Sequence, residues 1–60
     1  MYNTFSYLTP EQVAQILQLD VMTIYRYIRK KKLPAIKIGR AYRIDKRALE
    51  TFLDSHKIAA

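Results

Sequence analysis

Apolar residues recur at helical spacing in three stretches of the chain. These stripes are Val13, Ile16 and Leu17; Val21, Ile24, Tyr25 and Ile28; and Ala48, Leu49, Phe52 and Leu53. Side chains three and four residues apart lie on one face of an α-helix. The pattern therefore predicts three short amphipathic helices, each with one face that packs and one that stays free.

The start of the first helix is marked by Thr9, Pro10 and Gln12. Thr9 is suited to cap the helix, proline is favoured at the first helical position, and Gln12 completes a capping box. Leu8 and Val13 occupy the two positions of a hydrophobic staple. We therefore predict that a helix begins at Pro10. Residues 1–7 show no clear period, and we predict no element there.

Only Gln18 and Leu19 separate this helix from Asp20, which is placed to cap the second helix. So short a connection forces the two helices to cross steeply, as in a helix-turn-helix unit, and presents the second helix outwards. An ordinary helical hairpin within another small domain is the alternative that the two stripes leave open.

After Lys32 the apolar period changes from helical to alternating. Pro34 ends the second helix, because the residue before a proline is driven out of the α region. Two alternating runs, residues 36–38 and 42–44, then flank Gly39, which can take the positive φ of a tight turn. We predict a β-hairpin here. Its inner face is formed by Ile36, Ile38, Tyr42 and Ile44, and its outer face and tip by Lys37, Arg40 and Arg43.

Asp45 is placed to cap the third helix, whose stripe can close the core. The resulting fold class is mainly α with a small β-hairpin, a winged helix-turn-helix with a two-stranded wing and a C-terminal helix. Sixty residues form a single domain, residues 1–60, with a core at about 8–56. A chain of this length buries only about 60% of the surface that its unfolded form exposes, so we expect modest stability.

The charge of the chain is strongly polarised. Ten of the eleven basic residues lie between Arg26 and Arg47, where Asp45 is the single acid, and the formal net charge is +6. Such polarisation suits a polyanion such as a nucleic acid. A basic surface kept for solubility is the alternative, although solubility charges usually mix both signs.

Several classes of protein do not fit this composition. The chain has no cysteine, and His56 has no second histidine with which to share a metal, so we expect an exposed histidine in a last helical turn and no metal. No serine, acid pair or glycine-rich loop forms an active site, so we expect neither an enzyme nor a cofactor. No apolar run approaches about 20 residues and no signal-peptide pattern is present, which predicts a cytoplasmic chain without a membrane partner.

The free face of the second helix carries side chains that donate to phosphates and base edges. Arg26 is the first candidate, because it projects opposite the apolar stripe and arginine can donate to both guanine O6 and N7. A phosphate contact or a free surface arginine is the alternative. Tyr25 lies at the edge of the apolar stripe, whereas Tyr27 is placed on the exposed flank. The candidates on this helix are Met22, Thr23, Arg26, Tyr27 and Lys30.

A second set of candidates would contact the phosphate backbone or lie on the wing. These residues are Thr9, Lys31, Lys32, Lys37, Arg40, Tyr42 and Arg43. Tyr42 is interpreted primarily as a core residue of the hairpin, with a contact to DNA from the wing as the second interpretation. The wing cations are expected to screen phosphates, with a tip arginine in a narrow minor groove as the sharper alternative.

Five short motifs, taken in order and spacing, carry a resemblance to a known family. They are Leu8-Thr9-Pro10-Glu11-Gln12-Val13-Ala14, Thr23-Ile24-Tyr25-Arg26, Leu33-Pro34-Ala35, Ile38-Gly39-Arg40 and Tyr42-Arg43-Ile44. Over residues 8–53 the chain resembles the excisionase-type DNA-binding domains, winged helix-turn-helix modules related to the DNA-binding part of MerR-type regulators. The resemblance implies that the second helix enters the major groove and that the wing lies over the neighbouring backbone or minor groove. Thr23 and Arg26 match contacting positions of that helix, and Arg40 and Arg43 match the basic wing.

The chain departs from this family at two positions. Members often carry glycine in the turn and after the recognition helix, where this chain has Gln18 and Lys31. A positive φ at either residue would cost about 1 kcal/mol. The alternative is a different local geometry, in which the second helix runs further into Lys30, Lys31 and Lys32 and brings them closer to phosphate.

These observations predict sequence-specific binding of double-stranded DNA by a small transcription regulator or an excisionase-like recombination factor. One helix and one wing read only a few base pairs, so copies are expected to cooperate, through self-association or head-to-tail on repeated sites, or to use a partner. An alternative is the N-terminal module of a longer transposon or recombinase accessory protein. Alternatives of another class are an RNA-binding module and a protein-interaction module that docks an acidic partner through the basic face.

Overall fold

The computed structural model describes residues 6–58. Its elements in chain order are β1 (Tyr7–Leu8), α1 (Pro10–Leu17), α2 (Val21–Arg29), β2 (Ile36–Ile38), β3 (Ala41–Asp45) and α3 (Lys46–Ser55). The fold is the predicted winged helix-turn-helix. Helices α1 and α2 form the helix-turn-helix, strands β2 and β3 form the wing, and α3 closes the domain.

All three helices begin at the predicted capping residues. The Thr9 hydroxyl accepts a hydrogen bond from the Gln12 backbone N–H at 3.0 Å, and the Thr9 N–H donates to Gln12 Oε1 at 2.9 Å, which completes the capping box. Asp20 accepts from the backbone N–H of Met22, and Asp45 from that of Arg47. The capping chemistry is local, and for this reason the sequence predicts it well.

Two non-glycine residues close the first two helices in the left-handed conformation. Gln18 has a φ of 58° and Lys31 a φ of 61°. The Leu19 N–H donates to the Ala14 carbonyl at 2.9 Å, and the Lys32 N–H to the Tyr27 carbonyl at 2.9 Å, so each left-handed residue lets the next amide satisfy a helix-end carbonyl. Helix α2 ends at Arg29, and the left-handed Lys31 stops it before the proline is reached. Two expectations are therefore wrong: that Pro34 ends this helix, and the alternative that it runs further into its lysines.

The core lies where the three helices meet strand β3. Its buried residues are Val13, Ala14, Ile24, Ile28, Leu33, Ile44, Leu49 and Phe52, and no polar or charged residue within residues 6–58 is buried with them. Ile16 was expected in the packing stripe of α1, but its side chain is 57% exposed. That expectation is wrong because Val13 and Ala14 form the buried face of α1, with Leu17 only partly buried.

The sheet has a third strand that the sequence pattern did not predict. Strand β3 lies in the middle, with β2 on one side and β1 on the other, and Leu8 pairs with Ile44. Two residues are too few to show a period, so β1 left no signal in the sequence. The rest of that N-terminal stretch, residues 1–5, lies outside the described residues.

The register of the wing differs from the predicted one. Lys37 pairs with Tyr42, so these two side chains share a face, whereas Ile36 pairs with Arg43 and lies on the other face. The side chains of Ile36 and Ile38 are 45% and 66% exposed. The predicted inner face is therefore wrong for both isoleucines, and Lys37, expected on the outer face, shares the face of Tyr42 and the buried Ile44. The tight turn at Gly39, with a φ of 61°, is confirmed.

Metal sites and membrane-spanning helices can be assessed over the same residues. Among residues 6–58 the structure contains no group of three or more histidine, cysteine or acidic side chains that could hold a metal ion. None of the helices formed by these residues is long and apolar enough to cross a membrane.

Candidate nucleic-acid interface

The outer face of α2 is an exposed row that the helical period predicted. Met22, Arg26 and Lys30 are exposed and follow one another at four-residue spacing, while Ile24 and Ile28 are buried on the opposite side. The structure therefore brings these three candidates together on one surface. We call this row the α2 outer face.

Arg26 is held on the α2 outer face by its neighbour Thr23. The Arg26 Nη2 group donates to the Thr23 hydroxyl oxygen at 3.2 Å. Thr23 is partly buried and lies one turn before Arg26 on the same helix, so its hydroxyl supports the guanidinium group. A guanidinium group has five N–H donors, and the remaining ones can pair with two acceptors at once on a base edge or a phosphate.

The wing cations point in different directions. Lys37 Nζ lies 5.5 Å from the ring centroid of Tyr42, on the same face of the sheet. Arg43 is on the other face, and its Nη1 group donates to the Tyr42 carbonyl at 2.8 Å. Arg40 is exposed at the tip, directly after Gly39. The wing therefore carries positive charge on both faces and at its end.

The cations of this surface lack acidic partners within residues 6–58. The ion pairs in that part of the chain are Arg47 with Asp45, at 3.7 Å, and Lys57 with Asp54, at 3.1 Å. Neither pair includes a candidate residue. Every cation from Arg26 to Arg43 therefore lacks an ion pair within the described residues, namely Arg26, Arg29, Lys30, Lys31, Lys32, Lys37, Arg40 and Arg43. We call this set the unpaired cations.

The two tyrosines of α2 are both partly buried, which differs from the sequence expectation for Tyr27. Tyr27 was expected on the exposed flank, but it is partly buried and its ring lies edge-on at 5.3 Å from Phe52 and 6.1 Å from His56. The expectation of an exposed flank is therefore wrong, because α3 covers that side of α2. His56 is exposed just after α3, as predicted, and its Nδ1 atom lies 2.8 Å from the Phe52 carbonyl oxygen.

Tyr25 instead faces α1 and the wing. Its hydroxyl donates to Glu11 Oε2 at 3.2 Å, and its ring lies edge-on at 5.9 Å from Tyr42. Partial burial, together with the neighbouring Glu11 carboxylate, raises the pKa of Tyr25 above its ordinary value of 10.0. Sequence reasoning placed Tyr25 at the edge of the apolar stripe but missed its pairing with Glu11.

Two further residues complete the surface. Thr9 lies at the start of α1, where its hydroxyl oxygen is used by the capping box, and its contact with phosphate stays a prediction. Arg29 was not among the sequence candidates, yet it is exposed at the end of α2. With Ile28, Lys31 and Tyr42 it lines an open cleft of about 500 Å³ between α2 and the wing. Its position at the start of the run of four cations at residues 29–32 was the signal that could have found it.

Comparison with known protein families identifies the architecture. A family described as "Helix-turn-helix domain" matches residues 7–57, which include every element from β1 to α3. The chain belongs to the helix-turn-helix domain family. The helix-turn-helix assignment therefore applies to the whole described fold.

Curated relatives of this helix-turn-helix chain come from two bacteria. "Putative DNA-binding protein Rv0500A" of Mycobacterium tuberculosis (strain ATCC 25618 / H37Rv) is 33% identical over 48 residues, which cover 80% of this chain and 62% of the relative. "Putative DNA-binding protein MT0521" of strain CDC 1551 / Oshkosh shows the same identity and coverage. "Uncharacterized protein YvgK" of Bacillus subtilis (strain 168) is 40% identical over 52 residues, 87% of this chain but 17% of the relative. The chain thus spans about three fifths of the mycobacterial relatives. No solved structure matches it significantly.

Proposed function

We propose that this helix-turn-helix domain binds double-stranded DNA, with α2 in the major groove and the wing on the adjoining backbone or minor groove. One observation carries the proposal: the α2 outer face stands among the unpaired cations, which no acid in residues 6–58 neutralises. Cationic side chains of this kind bind a nucleic acid by releasing its condensed counterions. The names of the mycobacterial relatives support the same ligand.

The residues divide into two roles. Arg26, supported by Thr23, is the candidate for reading a base edge, with Met22 offering an apolar contact beside it. Lys30, Lys31 and Lys32 leave the end of α2 as exposed ammonium groups and are candidates for phosphate. Tyr27 is the weakest candidate on α2, because its ring packs against α3.

The biological role within this proposal is that of a small transcription regulator or an excisionase-like recombination factor, related to the DNA-binding part of MerR-type regulators. A single helix and wing read only a few base pairs, so copies cooperate on DNA or a second protein adds specificity. The alternative, a DNA-binding module within a longer protein, is favoured by the match to a relative of which this chain covers 17%.

RNA binding is the alternative of another class. Sequence-specific RNA readers stack bases on open aromatic rings. Here the ring of Tyr42 contacts Tyr25 and Lys37, and that of Tyr27 contacts Phe52. These contacts favour duplex DNA. Competition between duplex DNA and single-stranded RNA of the same sequence tests the choice, and preferential retention of the RNA would reverse it.

Selection of bound duplexes from a randomised library at near-physiological salt is the first test of the proposal. A short enriched motif is the expected result. Its recurrence in direct repeats would indicate head-to-tail cooperation, and inverted repeats would indicate a two-fold dimer. Retention of no duplex would contradict DNA binding by this domain.

Substitution of two cations separates base reading from phosphate contact. We expect Arg26→Ala to lower the discrimination between the selected site and other duplexes by about 1–3 kcal/mol. Lys32→Ala, the matched control, is expected to weaken all duplexes alike. Competition binding with the selected and scrambled duplexes measures both. An equal loss on every duplex for both variants would make Arg26 a backbone contact.

The salt dependence of binding tests the electrostatic contribution to affinity independently of the sequence of the duplex. If about six phosphates are neutralised, the logarithm of the association constant should fall with the logarithm of salt concentration at a slope of about −5. Titrations of one duplex over a series of salt concentrations measure this slope. A flat response would count against DNA binding through the unpaired cations.

A further inference from the structure

The wing and the recognition helix are separated by the open cleft beside Arg29. The backbone of β3 lies against α1 and α3, whereas α2 and the wing face each other across this cleft. Ile28 and Arg29 line its α2 side, and Tyr42 lines its wing side. Ile44 of β3 shares the core with Ile24 and Ile28 of α2, which fixes the base of the wing, so the cleft leaves only the outer part of the wing to be positioned by other side chains.

A line of side-chain contacts spans this gap from α1 to the wing. Glu11 on α1 accepts the hydroxyl hydrogen bond of Tyr25 at 3.2 Å. The Tyr25 ring lies 5.9 Å from the Tyr42 ring at an interplanar angle of 68°, which is the favourable edge-to-face arrangement. Lys37 Nζ then lies 5.5 Å from the centroid of the Tyr42 ring. The line thus joins α1, α2, β3 and β2.

We propose that the Tyr25–Tyr42 ring pair positions the wing relative to α2, so that the wing cations and the α2 outer face meet one duplex at a fixed spacing. This inference rests on the DNA binding proposed above. Tyr25 is a positioning residue here, since its hydroxyl is engaged by Glu11 and its ring by Tyr42. Holding two contact surfaces at the bound spacing removes part of the ordering cost of association.

Two substitutions of Tyr25 test the ring pair. Tyr25→Leu removes the ring, and Tyr25→Phe keeps the ring but removes the hydroxyl. We expect the slope of log affinity against log salt to become shallower by about 1 to 2 in Tyr25→Leu, because each lost phosphate contact contributes about 0.9. Tyr25→Phe is expected to keep the parent slope. The preference for the selected site, which depends on Arg26, should persist in both variants.

The slope distinguishes positioning from a general loss of stability. This holds over the salt concentrations at which the variant stays fully folded, because a folded fraction that changes with salt would itself change the slope. Circular dichroism at the assay temperature measures the folded fraction. If Tyr25→Leu is unfolded there, Tyr42→Leu removes the same ring contact from the wing side, and the same shallower slope is expected.

Each remaining outcome decides against the inference. An unchanged slope in folded Tyr25→Leu would show that the ring pair does not position the wing. A slope in Tyr25→Phe as shallow as in Tyr25→Leu would mean that the hydroxyl bond to Glu11, and not the ring pair, positions the wing. Failure of the parent domain to bind any duplex would instead overturn the proposed function, and the parent titration reports this separately.

Discussion

Gln18 and Lys31 show how single residues settle what a sequence pattern leaves open. Both adopt a positive φ near 60°, a conformation that costs a residue with a side chain about 1 kcal/mol. The sequence permitted either this conformation or a longer second helix. The hydrogen bonds that follow each residue, such as that from Leu19 to the Ala14 carbonyl, offset the cost by satisfying helix-end carbonyls.

Gln18→Gly is expected to stabilise the domain. Glycine adopts a positive φ without steric cost, so we expect the free energy of unfolding to rise by about 0.5–1 kcal/mol. Gln15→Gly, at an exposed position inside α1, is the matched control and should lower the free energy of unfolding by about 1 kcal/mol. Urea unfolding measures both. Destabilisation of similar size in the two variants would show that the left-handed conformation of Gln18 carries no strain.

Residues of the candidate site were predictable where only the helical period mattered. The exposure of Met22, Arg26 and Lys30 follows from their spacing relative to Ile24 and Ile28. The placement of Tyr27 failed because α3 covers its flank, and contacts between residues so distant in sequence leave no periodic signal.

Among the elements, the wing shows that the alternation of apolar and polar residues does not predict how two strands pair. Apolar and polar residues alternate in the sequence of both strands, but alternation within one strand does not say which of its faces matches which face of the other. The turn decides this. Gly39 and Arg40 form a two-residue connection that pairs Ile38 with Ala41, and this register places Ile36 beside Arg43. A connection longer by one residue would pair Ile38 with Tyr42 and produce the predicted inner face.

The register makes a prediction about the isoleucines of the wing. Ile38→Thr should change the free energy of unfolding by no more than about 0.5 kcal/mol, because the side chain is mostly exposed and threonine also favours strands. Ile44→Ala should cost about 2–5 kcal/mol, because Ile44 is fully buried in the core. Chemical unfolding of both variants measures these costs. A loss above about 2 kcal/mol for Ile38→Thr would support the inward-facing register instead.

For the whole molecule, the fold class was predictable because capping, turn length and apolar period all indicate the same arrangement. The strand β1 was not. It pairs with β3 more than 30 residues later, and the Lys46 N–H donates to the Ser6 carbonyl at 3.0 Å where α3 begins. Such pairing depends on the assembled domain, so no local pattern in two residues could indicate it.

The unpaired cations have a consequence for the domain when nothing is bound to it. Folding holds these like charges close together, and the resulting mutual repulsion is relieved when the chain expands on unfolding. Raising the salt from about 10 mM to about 150 mM shortens the screening length from about 30 Å to about 8 Å. We expect the thermal unfolding midpoint of the free domain to rise over this range, as measured by circular dichroism. A midpoint that falls or stays constant would show that the repulsion is negligible.

The same increase in salt would lower the affinity for a duplex. One surface therefore makes the thermal stability of the free domain and its affinity for DNA respond to ionic strength in opposite directions. A bound polyanion would act on the fold as salt does, because it supplies the negative charge that this surface lacks. The domain would therefore be least resistant to heat when it is alone in dilute buffer, and most resistant when it is occupied.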